Sequence, residues 1–452
     1  MFGKLKFSDN SIEKKLMMMH TESVTQKKAV LLIFFLICSF AVFAQEDNLT
    51  LKVAVIGPGD ELYFWWGHIA LIIEDSARGR SLFYDYGLFS FDNENFFYNF
   101  AVGRLLYSCG VSPTEINFEV YKNTNRDIIV YTLDLPEETK IKVRDFASIN
   151  VRPENRDYYY HHFKDNCSTR IRDIIDIAVD GQFAGLYKHE KSRFTLRQHV
   201  RRHTWFSPPA DWALNFWMGQ VIDRPITVWE DMFLPSEVGR LIDGFYYTDI
   251  NGQRRKLVSS VEIVNRAQNR PIVLETPRTQ WPLQTAFSLA LSVIFGFFFF
   301  LQSRNIRLGR TMAGISMSLC GLVFGFASLL LYFMNIFTNH DYTYENINMV
   351  FGTPLLLAAF PFGIGYAAAK SQKKQKKYGE LLRIIWLLCA LGVIVSMALK
   401  LLPMIYQDNL TDQMLLLPIA LVFSCQPIGL KETLEKYFPR CLRQKGGASG
   451  GL

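Results

Sequence analysis

Hydrophobic positions follow two different rhythms along this chain. Between residues 49 and about 270 they come in short runs separated by polar turns. The segments LKVAVIG from Leu51, HIALIIE from His68, SLFYDYG from Ser81 and RDIIVYTLDL from Arg126 are rich in β-branched and aromatic residues, so each predicts a strand. Residues 136–150 predict a helix. A second helix is predicted within YYYHHFKDNCSTRIRDIIDIAVD, residues 158–180, where Ile171, Ile174, Ile175 and Ala178 share one 3.6-period face. Asn166 supplies its N-cap and Gly181 its stop. Strands mixed with helices predict an α+β domain. Further on come five apolar runs, 282–301, 312–333, 347–369, 381–402 and 414–430. Most reach the roughly 20 residues needed to cross a hydrocarbon core of about 30 Å, the last being the shortest, and they predict an all-α transmembrane bundle of five helices.

The two ends and the charged loops give this pattern a direction. Lys27-Lys28, the apolar stretch AVLLIFFLICSFAVFA and then Gln45 form a signal peptide over 1–44, with an uncleaved anchor as the alternative and Met17, Met18 or Met19 as alternative starts. The expected domains are then 45–275 outside the cytoplasm, 282–430 in the membrane and a basic cytoplasmic tail over 431–452. Loop charges agree. Arg304, Arg307 and Arg310, then Lys370, Lys373, Lys374, Lys376 and Lys377, then the tail are basic, whereas the loops 334–346 and 403–411 carry only acidic charge. The net charge of +7 therefore sits mainly in cytoplasmic loops, which argues against nucleic-acid binding. The stretch 196–241 is rich in Trp and Pro and reads either as a satellite core or as an interfacial aromatic surface.

Candidate chemistry centres on Cys167. It opens a helix, where free amides, the helix dipole and the nearby Lys164 and Arg170 favour a thiolate. His68, first in its predicted strand, is the candidate base. A His strand followed by a Cys helix reverses the order of papain and resembles the permuted branch of the NlpC/P60 superfamily, which implies a papain-like domain. Asp85, on the next strand, would orient the imidazole, and the Cys167 amide would contribute to an oxyanion hole. Asn166 reads as a cap rather than a catalyst. Arg170 and Arg172 would either hold a substrate phosphate or pair with Asp173 and Asp176 along the helix. The sequence contains no P-loop, paired CxxC, HExxH or dinucleotide fingerprint, and adjacent His161 and His162 point apart, so neither a cofactor nor a metal is expected. Cys109 and Cys167 are the only cysteines of the mature soluble part, which keeps a disulfide open as an alternative.

One resemblance covers nearly the whole mature chain. Gly67-His68, Tyr86-Gly87 followed by Phe89 and Phe91, the run Asp165-Asn166-Cys167-Ser168-Thr169-Arg170-Ile171-Arg172-Asp173 and a C-terminal five-span region resemble Lnb, the lipoprotein N-acyltransferase family of Bacteroidota. That resemblance implies Cys167 and His68 as the catalytic pair of a periplasmic domain anchored in the bacterial inner membrane. The donor would be a membrane phospholipid, the acceptor a diacylglyceryl lipoprotein and the intermediate a thioester; a monomer is expected. His340, in the loop between the second and third spans, would line the acceptor entrance. Two other readings compete: a membrane-tethered cysteine amidase or peptidase acting on cell-wall peptide, and a non-enzymatic binding module with Cys109 joined to Cys167.

Overall fold

A computed structural model of the chain describes residues 48–89, 95–402 and 404–426. The expected signal segment and basic tail lie outside these residues. The N-terminal region is built on one antiparallel sheet. Its strands are β1 (Leu49–Ile56), β2 (His68–Asp75), β3 (Arg80–Leu88), β4 (Leu106–Pro113), β5 (Ile128–Leu133), β6 (Asp157–Tyr159) and β9 (Val258–Asn265), in the order β6-β4-β3-β2-β1-β5-β9. A small hairpin of β7 (Tyr246–Thr248) and β8 (Arg254–Lys256) stands apart. The four strands expected from the sequence are the contiguous β3-β2-β1-β5 block at the sheet centre.

Alternation in that block buries both faces. Leu51, Val53, Val55, Ile69, Leu71, Ile73, Tyr84 and Tyr86 meet Ile171, Ile174 and Ile175 of the helix Cys167–Ala178, Val143 and Ala147 of the helix Glu137–Asn150, and Val238 of the helix Pro235–Asp243. Ala54, Ile56, Ala70, Ile72 and Phe83 pack on the opposite face against Phe118 and Tyr121 of the helix Thr114–Asn123. Each such aliphatic side chain contributes about 1.5–3 kcal/mol when fully buried, so the sheet is a rigid base for the residues at its strand ends.

The C-terminal region is helical, and three of the five expected runs form long continuous helices. Among the described residues, only Trp281–Ser303, Arg307–Phe337 and Gln372–Leu399 are by length and composition able to cross a bilayer as single helices. The third run is broken: two 3-10 turns, Ile347–Val350 and Pro354–Ala358, precede the helix Ala359–Ala368. Pro354 has no amide to donate and disfavours helical backbone at Thr353, which explains the break. The last helix, Leu410–Ser424, holds Pro418 and spans 15 residues, about 22 Å at 1.5 Å per residue and short of the roughly 30 Å core.

Part of the Trp- and Pro-rich stretch forms a seam between the two regions. Trp212, Phe216 and Trp217 of the helix Pro208–Trp217 join the aromatic and aliphatic core of the membrane helices, and Trp217 Nε1 donates to Ala327 O at 3.1 Å. The two acidic loops lie on the side of the sheet domain. Asp341 contacts His161 and Lys164, and Asp408 contacts Arg201.

Candidate active site

The start of the Cys167 helix is fixed by its own sequence. Asn166 is in extended backbone and accepts from the Ser168 and Thr169 amides, each at 2.9 Å, while its own amide donates to Thr169 Oγ1 at 2.8 Å. Its side-chain NH2 donates to His162 O at 2.8 Å and Phe233 O at 3.0 Å. Asn166 is thus spent as a cap, and the cap leaves the Cys167 amide unclaimed for a developing negative charge.

His68 opens β2, and Asp85 sits on the neighbouring β3, where Ala70 pairs with Asp85. His68 Nε2 and Asp85 Oδ1 are 3.0 Å apart, both side chains being largely buried. This is an ion pair bent off the hydrogen-bond line, since His68 Nε2 has no in-line acceptor. Asp85 Oδ1 is held in turn by the Gly87 amide at 2.7 Å. Burial opposes a charge on His68, but the carboxylate of Asp85, helped by Tyr121 and Cys167, outweighs it and holds the imidazole well above its ordinary pKa. Burial likewise works against the Asp85 carboxylate, yet His68, the Gly87 amide and Arg126 keep its pKa below the usual value. With Nε2 committed to Asp85, Nδ1 is the nitrogen left for the thiol. No hydrogen bond joins the two in this state; Cys167 acts on His68 through space, and such contacts commonly tighten only when substrate is bound.

Two family models match the chain, the Lnb N-terminal periplasmic domain over residues 41–202 and the Lnb transmembrane domain over residues 276–407. The chain belongs to the Lnb family. It is therefore a membrane protein with a periplasmic domain, carrying three strongly apolar helices. Neither the curated proteins nor the solved structures give a match.

The other residues singled out from this Lnb sequence fall elsewhere. Arg170 is bound by Asp165 through Nε at 2.6 Å and Nη2 at 2.8 Å, and lies over the Tyr158 ring. Arg172 pairs with Asp173 at 2.8 Å, donates to Trp229 O at 3.1 Å and lies over the Trp229 ring. Both guanidiniums are therefore engaged in ion pairs of the fold, the partner of Arg170 being Asp165 rather than an acid further along the helix. His340 is buried, with Nε2 at 3.2 Å from Phe100 O and Nδ1 at 2.9 Å from the Tyr342 hydroxyl, so it joins packed surfaces instead of lining an open entrance. Cys109 and Cys167 are both free thiols. Cys109 lies on β4, and burial pushes its thiol up to about 12, which suits packing rather than nucleophilic work. Among the described residues no group of three or more His, Cys, Asp or Glu is placed to hold a metal.

Three features around the Lnb site were not foreseen. Gly87 flanks the imidazole so closely that a Cβ there would lie 2.8 Å from His68 Cε1 and 3.4 Å from Nδ1. The sequence marked it only as part of the Tyr86-Gly87 motif, without a role beside His68. Tyr107 and Tyr160 stack at 4.1 Å, and both hydroxyls are raised first by burial and then by the Cys167 charge. Asp341 reaches from the membrane-region loop to His161, 180 residues away in the chain, and no local pattern could announce it.

Proposed function

We propose that this Lnb protein is a lipoprotein N-acyltransferase of the bacterial inner membrane, working through an acyl thioester on Cys167 in a papain-like periplasmic domain. One observation carries the reading: a buried His68–Asp85 pair sits on the sheet against which the helix with Cys167 at its capped start packs, in a domain seated on apolar helices. In the first half-reaction the proton of the Cys167 thiol resides on His68. Sulfur attacks the ester carbonyl of a phospholipid, the Cys167 amide helps to hold the oxyanion, and the C–O bond breaks. His68 gives its proton to the departing lysophospholipid oxygen. In the second half the free α-amine of a diacylglyceryl-cysteine lipoprotein attacks the thioester, neutral His68 takes the amine proton, and the C–S bond breaks to restore the starting pair. The products are an N-acylated lipoprotein and the free enzyme.

Both substrates are lipids of one leaflet, so a site fixed at that surface replaces a search in three dimensions by a lateral one. The test is mass spectrometry of the purified protein mixed with phospholipid and no acceptor. The expected result is a hydroxylamine-sensitive acyl mass on the Cys167 peptide, lost in Cys167→Ser and in His68→Ala. No adduct on a demonstrably free thiol would sink the acyl-transfer reading and favour peptide hydrolysis.

A further inference from the structure

Arg170 and Arg172 are paired with Asp165 and Asp173, the fold-pairing alternative of the two offered for them, so a cation elsewhere is the better candidate for a substrate phosphate. A cavity of about 340 Å³ between the helix Phe96–Ala101 and β4 provides one. Phe96, Phe100, Arg104, Tyr107, Arg156 and Asp157 are among its lining residues. Two guanidiniums there face one carboxylate, and that carboxylate is already engaged: Asp157 accepts from Ser108 Oγ at 2.6 Å and lies 3.7 Å from Arg156. Arg104 is exposed, and among the described residues its guanidinium has no ion-pair or hydrogen-bond partner. The cavity therefore presents a surplus positive charge and a fork of free donors, the chemistry that matches a phosphodiester.

The position of the cavity joins it to both the bilayer and the thiol. The helix Phe96–Ala101 rests on the loop that follows the membrane helix Arg307–Phe337. Asn339 N donates to Val102 O at 2.8 Å, and Gly103, at φ 76°, passes so close that a Cβ would lie 2.9 Å from Asn339 C. Around this seat Phe97, Tyr98 and Phe100 are 75%, 63% and 48% exposed, and Phe337 at the end of the membrane helix is 69% exposed. Aromatic side chains grouped at the mouth of a bilayer helix suit the membrane interface, where a ring can sit among acyl chains and head groups. Tyr107 forms part of the cavity wall and stacks on Tyr160, which lies on the segment leading into the Cys167 helix.

We propose that this cavity is the entrance for the acyl donor, a glycerophospholipid of the adjoining leaflet: Arg104 takes the phosphodiester, the exposed aromatics receive the chains, and the Tyr107–Tyr160 stack leads the ester toward Cys167. The inference rests on the acyl-transfer reading, and its test separates the two. The full-length Cys167→Ala protein in detergent is offered dioleoyl phosphatidylethanolamine against dioleoylglycerol, which share the same esters and differ in the phosphate head group; retained lipid is read by native mass spectrometry. Phospholipid is expected to be preferred, the preference to fall about tenfold in Arg104→Gln, and most of it to remain in Arg104→Lys. Equal retention of the two lipids, or a preference unchanged in Arg104→Gln, would overturn the inference. In parallel, protein with Cys167 intact is incubated with the phospholipid alone. A missing thioester there, with the Arg104-dependent preference present, would remove the acyl-transfer reading and leave the lipid site. A thioester formed alongside an Arg104-independent preference would remove the site and leave the reading.

Discussion

Arg197 at the seam and His68 in the candidate site are both withdrawn from water, yet they are treated in opposite ways. Arg197 has every guanidinium nitrogen engaged: Nε with Asp223 at 2.7 Å, Nη1 with Asn215 O at 3.0 Å, and Nη2 with Met218 O at 2.9 Å and Gly219 O at 2.8 Å. Arg201, one helical turn on, extends the network to Asn215 and to Asp408 of the membrane region. His68 has one bent ion pair and a second nitrogen uncommitted. A saturated buried network has a single low-energy arrangement, which is what a seam between a sheet domain and a set of apolar helices needs. An imidazole that must take and release a proton needs the reverse, an orienting partner on one side and vacancy on the other.

This contrast predicts two kinds of damage. The largest effect on chemistry is expected from His68→Ala, with Cys167 acylation slower by about 10²–10⁴-fold and a smaller loss of melting temperature than at the seam, because the Gly87 amide still satisfies Asp85 Oδ1. The counterpart at the seam is Arg197→Met, which leaves Asp223 buried without its cation. It is expected to destabilise the protein by about 3–5 kcal/mol, read as an early thermal transition in detergent. If both substitutions lowered stability alike, the distinction between the two regions would fail.

Asp85→Asn ranks next. Asp85 raises the His68 pKa, so the substitution should move the alkaline limb of the acylation–pH profile downward, because imidazolium is then lost at lower pH. The sign for stability follows from the same shift. A group raised on folding contributes its stabilisation fully below its ordinary pKa of about 6.5 and loses it as pH climbs through the folded value, so the wild-type advantage over Asp85→Asn should be present in mild acid and fade in alkali. Gly87→Ala sharpens the geometry without touching charge. The new methyl would lie 2.8 Å from His68 Cε1, and the displaced ring is expected to lower the acylation rate about tenfold while the pH limbs stay in place. A shifted alkaline limb in Gly87→Ala would mean that the Asp85 contact, rather than the position of the ring, had been disturbed.

How much of this could be read from the residues depended on whether the information was local. The block β3-β2-β1-β5 and the Cys167 helix carry their own periodicity and caps, and they appear where the patterns put them. β4 and β9 escaped because LYSCGVSP mixes Gly, Ser and Pro into a flanking strand, while Val261 and Ile263 of β9 are half exposed and give only a weak alternation. The third apolar run was long enough for a span, but Gly352 and Pro354 inside it hold a break that hydropathy averaging hides. In the site, Asp85 was reachable through strand order. The engagement of Arg170 by Asp165 was not, because an Asp just before the N-cap can turn toward the helix or away from it, and only the fold decides.

The smallest expected effect tests how the two regions communicate. Asp341 accepts from His161 Nε2 at 2.8 Å and contacts Lys164, and these two contacts hold its carboxyl well below the usual carboxylate range. His161 Nδ1 accepts from the Phe163 and Lys164 amides, each at 3.1 Å, and the His161–Asp165 bridge leads directly to the Asn166 cap. A loop of the membrane region thereby sets one ring, and that ring sets the backbone on which Cys167 depends. Asp341→Asn keeps one acceptor oxygen but removes the charge. Since the wild-type carboxylate is about a third exposed, solvent screens much of the loss, and only a two- to threefold fall in acylation rate is expected. The decisive readout is amide exchange over residues 161–169. Faster exchange there with Arg197 and its neighbours unaffected would show that the tether acts locally on the cap, and unchanged exchange would sever the link drawn between the membrane loop and the thiol.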